Sequence, residues 1–98
     1  MSNIDWNDRT QPNAFLVKHS SKLVGPVLSL AEGEGRNAVF LATLGLQVCG
    51  VDGSSVGLTK AQTLARLHGV DIQTEVADLA TYQPATNFYG SVISISAH

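Results

Sequence analysis

Cysteine, cationic charge and long apolar runs are all scarce in this sequence, and each scarcity removes a class of function. The 98 residues hold one cysteine, Cys49. An internal disulfide and a cysteine-based zinc cage are thereby excluded. Three histidines without matched spacing do not supply a metal site instead. Lysine and arginine total six, scattered at positions 9, 18, 22, 36, 60 and 66. They form no stripe and no aromatic residues interleave them, so binding of nucleic acid through phosphates gains no support. One apolar uncharged stretch, Asn37 to Val51, has 15 residues and includes Gly45, Gln47 and Gly50. It is too short and too polar to span a bilayer. The opening "MSNIDWNDR" is acidic and polar, unlike a signal peptide. A soluble, reducing, cytoplasmic setting is the expectation.

What remains is globular. Apolar residues make up 44 % and charged residues 14 %, a composition that folds rather than one that stays solvated. The length suits one small domain. A chain of this size hides only about 60–65 % of the surface its unfolded form exposes, so the core is thin. With so little charge, part of the surface is expected to be covered by something else.

The order of elements follows from periodicity. A leading helix within Thr10 to Leu23 places Pro12 in its first turn and Phe15, Leu16 and His19 at helical spacing, and Gly25-Pro26 ends it. "VLSLA" (Val27 to Ala31) reads as a buried strand. Arg36 to Leu44 reads as a helix with Ala38, Phe40, Leu41 and Leu44 for burial, and Gly45 closes it in the left-handed position that follows a helix. "LQVCGVD" (Leu46 to Asp52) is a second strand. Ser54 and Ser55 are helix caps for a helix reaching His68, with Leu58, Ala61, Leu64 and Ala65 on one face and Gly69 after its end. Val70, Ile72, Thr74 and Val76 alternate with polar residues in a third strand. Ser91 to Ser96 is a fourth. Residues 1–25 form a leader and 26–98 an α/β core. Strands alternating with helices imply right-handed crossovers and a parallel sheet, with ligands at the carboxyl ends of the strands.

The motif that asks for explanation is "AEGEGRN" between the first strand and its helix. A glycine-rich turn there lets backbone approach a ligand while the helix presents free N–H groups. Asp52 ends the next strand about 20 residues after Gly33, the interval at which an acid meets ribose hydroxyls. An adenosine-type cofactor follows. Gly33 to Ala38 also fits the dinucleotide pattern G-x-G-x-x-A. Yet Glu32 and Glu34 would set negative charge beside a pyrophosphate, costing about a kcal/mol or more in a partly dry cleft. S-adenosylmethionine carries an ammonium, a sulfonium and one carboxylate, and tolerates acids at that turn.

The run "VLSLAEGEGRNAVFLATLGLQVCGVDGSSVGLTKAQTLA", continued by "VADL" and "SVISISAH", resembles the cofactor-binding core of class I S-adenosylmethionine-dependent methyltransferases. It is most similar to the small bacterial group that includes tellurite-resistance and thiopurine methyltransferases. The resemblance covers Pro26 to His98, and "WNDR" with "PNAFL" resembles the family's leader. It implies a Rossmann-like three-layer sandwich with helices on both faces of a truncated parallel sheet, strand order 3-2-1-4. It further implies that Ala31, Glu32, Gly33 and Gly35 hold the methionine part of the cofactor, with Arg36 and Asn37 meeting its carboxylate. Asp52 would bind the ribose beside Gly53 and Ser54. Ala77, Asp78 and Leu79 would flank the adenine, and Ser94, Ser96 and Ala97 the methionine end. No catalytic side chain and no metal are implied. The partner is a small-molecule methyl acceptor of unidentified structure.

The sequence departs from the family at Ser29, where an acid is usual, at Ala31, where the first motif glycine stands, and at Tyr89, where an acid begins the fourth strand. Its leader is short. The family sheet has seven strands, ordered 3-2-1-4-5-7-6, and this chain reaches the fourth. An apolar "VISIS" edge is a template for self-association, and the chain is expected to be a fragment or truncated product. Two further readings stay open from the residues: an NAD(P)-binding oxidoreductase domain, and a remnant that binds no cofactor. Plainer roles stand beside each site residue. Asp52 can cap the following helix, Asp78 can serve a loop, and the two glutamates suit a helix N-terminus. Cys49 reads as a small core residue, and His19 and His68 as solvated. His98, last in the chain, is read as loose rather than as a general base.

Overall fold

The computed structural model describes residues 12–30, 35–84 and 88–94. Its elements are α1 (Ala14–His19), a single 3-10 turn (Ser20–Lys22), β1 (Val27–Leu30), α2 (Arg36–Thr43), β2 (Val48–Asp52), α3 (Ser55–Leu67), β3 (Gln73–Val76) and β4 (Ser91–Ser94). The four strands form one parallel sheet in the order β3-β2-β1-β4. The parallel α/β sheet follows the alternation of elements, and its strand order is the one the family resemblance implies.

The helices begin and end where local chemistry directs. Pro12 does not lie in the first turn of α1, as expected, but ahead of it. Asn13 caps that helix instead, its Oδ1 accepting from the Leu16 N–H at 3.2 Å. Asn is among the best caps because its side-chain oxygen replaces a missing helical acceptor. Gly45 and Gly69 follow α2 and α3 with φ of 90° and 69°, a conformation that costs glycine little. Leu44 is exposed rather than buried, since α2 stops at Thr43 and Leu44 turns away with the cap.

The sheet has two unlike faces. On one, Val27, Val48 and Ile72 pack with Leu16 of α1, with Ala38, Val39, Leu41 and Ala42 of α2, and with Ala61, Leu64 and Ala65 of α3. Successive right-handed crossovers in one direction put α2 and α3 on the same side. On the other face, Leu28, Cys49 and Val51 are buried under Leu30, Ala77, Tyr82 and Tyr89. Among the described residues, then, the third layer is the segment after β3, not a helix. The expected alternation in β3 fails at its end: Ile72 is buried, but Val76 is 55 % exposed. It lies at the outer rim of an edge strand.

Candidate functional site at the carboxyl rim of the sheet

Register brings the carboxyl ends of all four strands to one rim. Leu30 pairs with Val51 on one side and Ser94 on the other, and Asp52 pairs with Val76. The Ala77 N–H then donates to the Asp52 carbonyl at 3.0 Å, extending contact between β2 and β3 past the end of β3. Gly53 sits against the same segment, where an added Cβ would lie 3.8 Å from the Ala77 carbonyl oxygen. The rim therefore carries Asp52, Gly53, Ser54 and Ala77 together, with Ser94 two strands away at the end of β4. Ala31, Glu32, Gly33, Ser96 and Ala97, also expected in the site, lie outside the described residues, as do Glu34 and His98.

Asp52 is half-buried and held by its surroundings. Its Oδ2 accepts from the Ser54 N–H at 3.0 Å. The cap of α3 is Ser54, whose Oγ accepts from the Gly57 N–H at 3.1 Å. Capping thus falls to the serine, and the aspartate closes a short Asx turn at the strand end. Asp78 uses its Oδ1 on the Ala80 N–H at 2.9 Å, while its carbonyl accepts from Thr81. The plainer, turn-forming role is therefore present at Asp78. Leu79 beside it is partly exposed.

Gly35 opens α2 with φ of 92°. The absence of a side chain there serves helix packing: a Cβ would meet the Cβ of Ala61 on α3 at 2.5 Å. Arg36 is half-buried, and Asn37 is buried with its Oδ1 accepting from the Asn13 N–H at 2.8 Å. Asn13 was not among the expected site residues, although an Asn immediately before "AFLVKH" carries the signature of a helix cap.

Titratable groups with displaced equilibria lie on the second face, in the cluster that also takes in Leu30 and Ala77. Burial pushes the Cys49 thiol up, opposed by a hydrogen bond from Tyr89 and aided by the charge of Glu75. Burial, then the neighbouring Cys49, carries Tyr89 up to about 12. Cys49 is buried in the core, as a small apolar residue would be. Among the described residues no cluster of His, Cys, Asp or Glu could hold a metal ion, and no helix is long and apolar enough to cross a membrane.

The profile of a family described as "Methyltransferase domain" matches residues 27–98, from the first residue of β1 through all of the rim. The chain belongs to that family. Its sheet order is the 3-2-1-4 portion of the class I methyltransferase sheet. Solved structures agree. The CcbJ methyltransferase from Streptomyces caelestis is 27 % identical, with a TM-score of 0.72 over 92 % of this chain and 39 % of its own. Magnesium protoporphyrin IX methyltransferase from Synechocystis, solved with bound S-adenosylhomocysteine (SAH), is 27 % identical at a TM-score of 0.65, over 83 % of this chain and 37 % of its own. TehB from Haemophilus influenzae is 26 % identical at 0.67, over 84 % and 29 %. This methyltransferase-domain chain thus spans less than half the length of each of the three. Curated proteins give no significant sequence match.

Proposed function

We propose that the rim binds S-adenosylmethionine and that the domain serves methyl transfer to a small-molecule acceptor. The observation that carries this is the carboxylate of Asp52 at the end of β2, flush with the end of β3 and held by the Ser54 N–H. Its strand-end position is where an acid can accept from ribose hydroxyls. Gly53 keeps the floor beside it low. Ala77, Asp78 and Leu79 are the wall for adenine. By their place in the sequence motif Ala31, Glu32 and Gly33 are assigned with Gly35 and Arg36 to the amino-acid end, and Ser94 and Ser96 to its border. Family membership, and relatives solved with SAH or S-adenosylmethionine bound, support this cofactor over a nicotinamide dinucleotide. So does the pair of glutamates in the turn. Within the class I enzymes, the "EGEGRN" and "VDGS" motifs favour kinship with the tellurite-resistance and thiopurine group.

The residues fit the group. The cofactor supplies a methyl on a positive sulfur with a good leaving group. The protein's share is to orient it and to exclude water from the acceptor. Asp52 orients the ribose, and the α2 start the charged tail. No nucleophilic side chain is needed, which agrees with a buried Cys49. Leader 1–25 and core 26–98 are proposed as the two functional parts.

Calorimetry with SAH, with NAD as the comparison, tests the reading. SAH should bind and NAD should not. Asp52→Ala should lose at least tenfold in affinity, about 1.5 kcal/mol, the scale of a charge-assisted hydrogen bond. Tighter NAD binding would overturn the cofactor, and no binding by the unaltered protein would favour the remnant.

A further inference from the structure

Asn37 is one of only two buried polar or charged residues among those described, the other being Ser29. It sits two residues after Gly35, in the first turn of α2. Its Oδ1 accepts from the backbone N–H of Asn13, 24 residues earlier in the chain. The same Asn13 caps α1 with its own side chain, and its carbonyl accepts from the Val17 N–H at 3.0 Å. One turn into α1, Leu16 enters the main core at 3 % exposure. The leader is thus seated at two points, a partly buried hydrogen bond at the head of α2 and an apolar plug from Leu16 in the core. A buried carbonyl oxygen that loses its donor keeps its desolvation cost, so the pairing holds a defined geometry.

We propose that Asn37 is a positioning residue: it seats the leader helix on the first turn of α2, so that occupancy of the adjoining rim and order in the leader are coupled. It acts through Asn13, not by touching the cofactor. The coupling rests on the binding reading above; the seating does not. Coupling between two sites is reciprocal, so a ligand held at the start of α2 also tightens the leader.

Hydrogen exchange of residues 12–22, with and without SAH, reads this directly. In the unaltered protein SAH should slow leader exchange several-fold. Asn37→Ala should speed leader exchange about tenfold without ligand, weaken SAH binding about tenfold and abolish the slowing. Asn37→Asp keeps an acceptor oxygen for the Asn13 N–H and should restore leader protection. Asn13→Ala keeps that N–H and should lose less than Asn13→Pro, which removes it. On the Asn37→Ala background that difference should vanish. Leader exchange unchanged in Asn37→Ala would overturn the proposal. So would acceleration spread equally over α2, α3 and the strands, because that is loss of general stability. Failure of the unaltered protein to bind SAH would sink the cofactor and the coupling, while the leader response would still decide the seating.

Discussion

Gly35 and Ala61 approach so closely that no side chain fits between them. A Cβ at position 35 would lie 2.5 Å from the Ala61 Cβ and 2.6 Å from its Cα. The second distance matters more, because it is to backbone. Gly35→Ala should therefore cost about 2–4 kcal/mol, from a left-handed φ and from overpacking where α2 meets α3. Ala61→Gly should not rescue it, since the Cα remains in place. Urea unfolding of the single and double variants checks both statements.

Ser54 is a second local anchor. Ser54→Ala removes the acceptor for the Gly57 N–H and should lower stability by about 1 kcal/mol. The Asp52 hydrogen bond runs to the backbone of residue 54 and survives the change. A urea midpoint equal to that of the unaltered protein would show that α3 does not depend on its cap.

The second face sets an alkaline limit. The Tyr89 hydroxyl is raised from 10.0 to about 12, so the folded state holds that proton more tightly than the unfolded chain does. The corresponding stability is whole below pH 10 and is lost as pH rises toward 12. Cys49, raised from 9.0, adds a loss that starts lower. Urea midpoints should be level at neutral pH and fall above about pH 9. Tyr89→Phe should flatten the upper part of that fall. A level profile to pH 12 would contradict the burial of this pair.

Strand β4 pairs with β1 and, among the described residues, with no other strand. Val92 on it is 55 % exposed. An apolar edge of this kind pairs with other chains unless charge blocks it. Light scattering at rising concentration should show self-association, and Val92→Lys should reduce it. A monomer at every concentration would refute this.

Much of the fold was legible because its signals are local. Leu58, Ala61, Leu64 and Ala65 share a helical face, Gly45 and Gly69 stand at helix ends, and Ser54 precedes α3. The rim was legible because parallel strands leave few options for where their ends lie. What escaped is what depends on distant partners. Gly35 looked like a residue for ligand approach, but its packing neighbour is 26 positions away on α3. Asn37 looked like a residue that meets ligand, and its partner is in the leader. Pro12 drew the start of α1 too early, because a proline suited to a first turn competes with an asparagine suited to a cap. Asp78 carried equal signals for turn and site, and the structure displays the turn.

Because all four strands run the same way, the molecule divides its labour between two ends. Gly45 and Gly69 occupy the end away from Asp52, and a Cβ added at either would meet nothing within 4 Å. That end is open ground for engineering. Both glycines hold a left-handed φ that strains any L side chain, so a label or tether belongs on the exposed neighbour Asp71 with Gly69 kept, where it stands at the pole opposite Asp52.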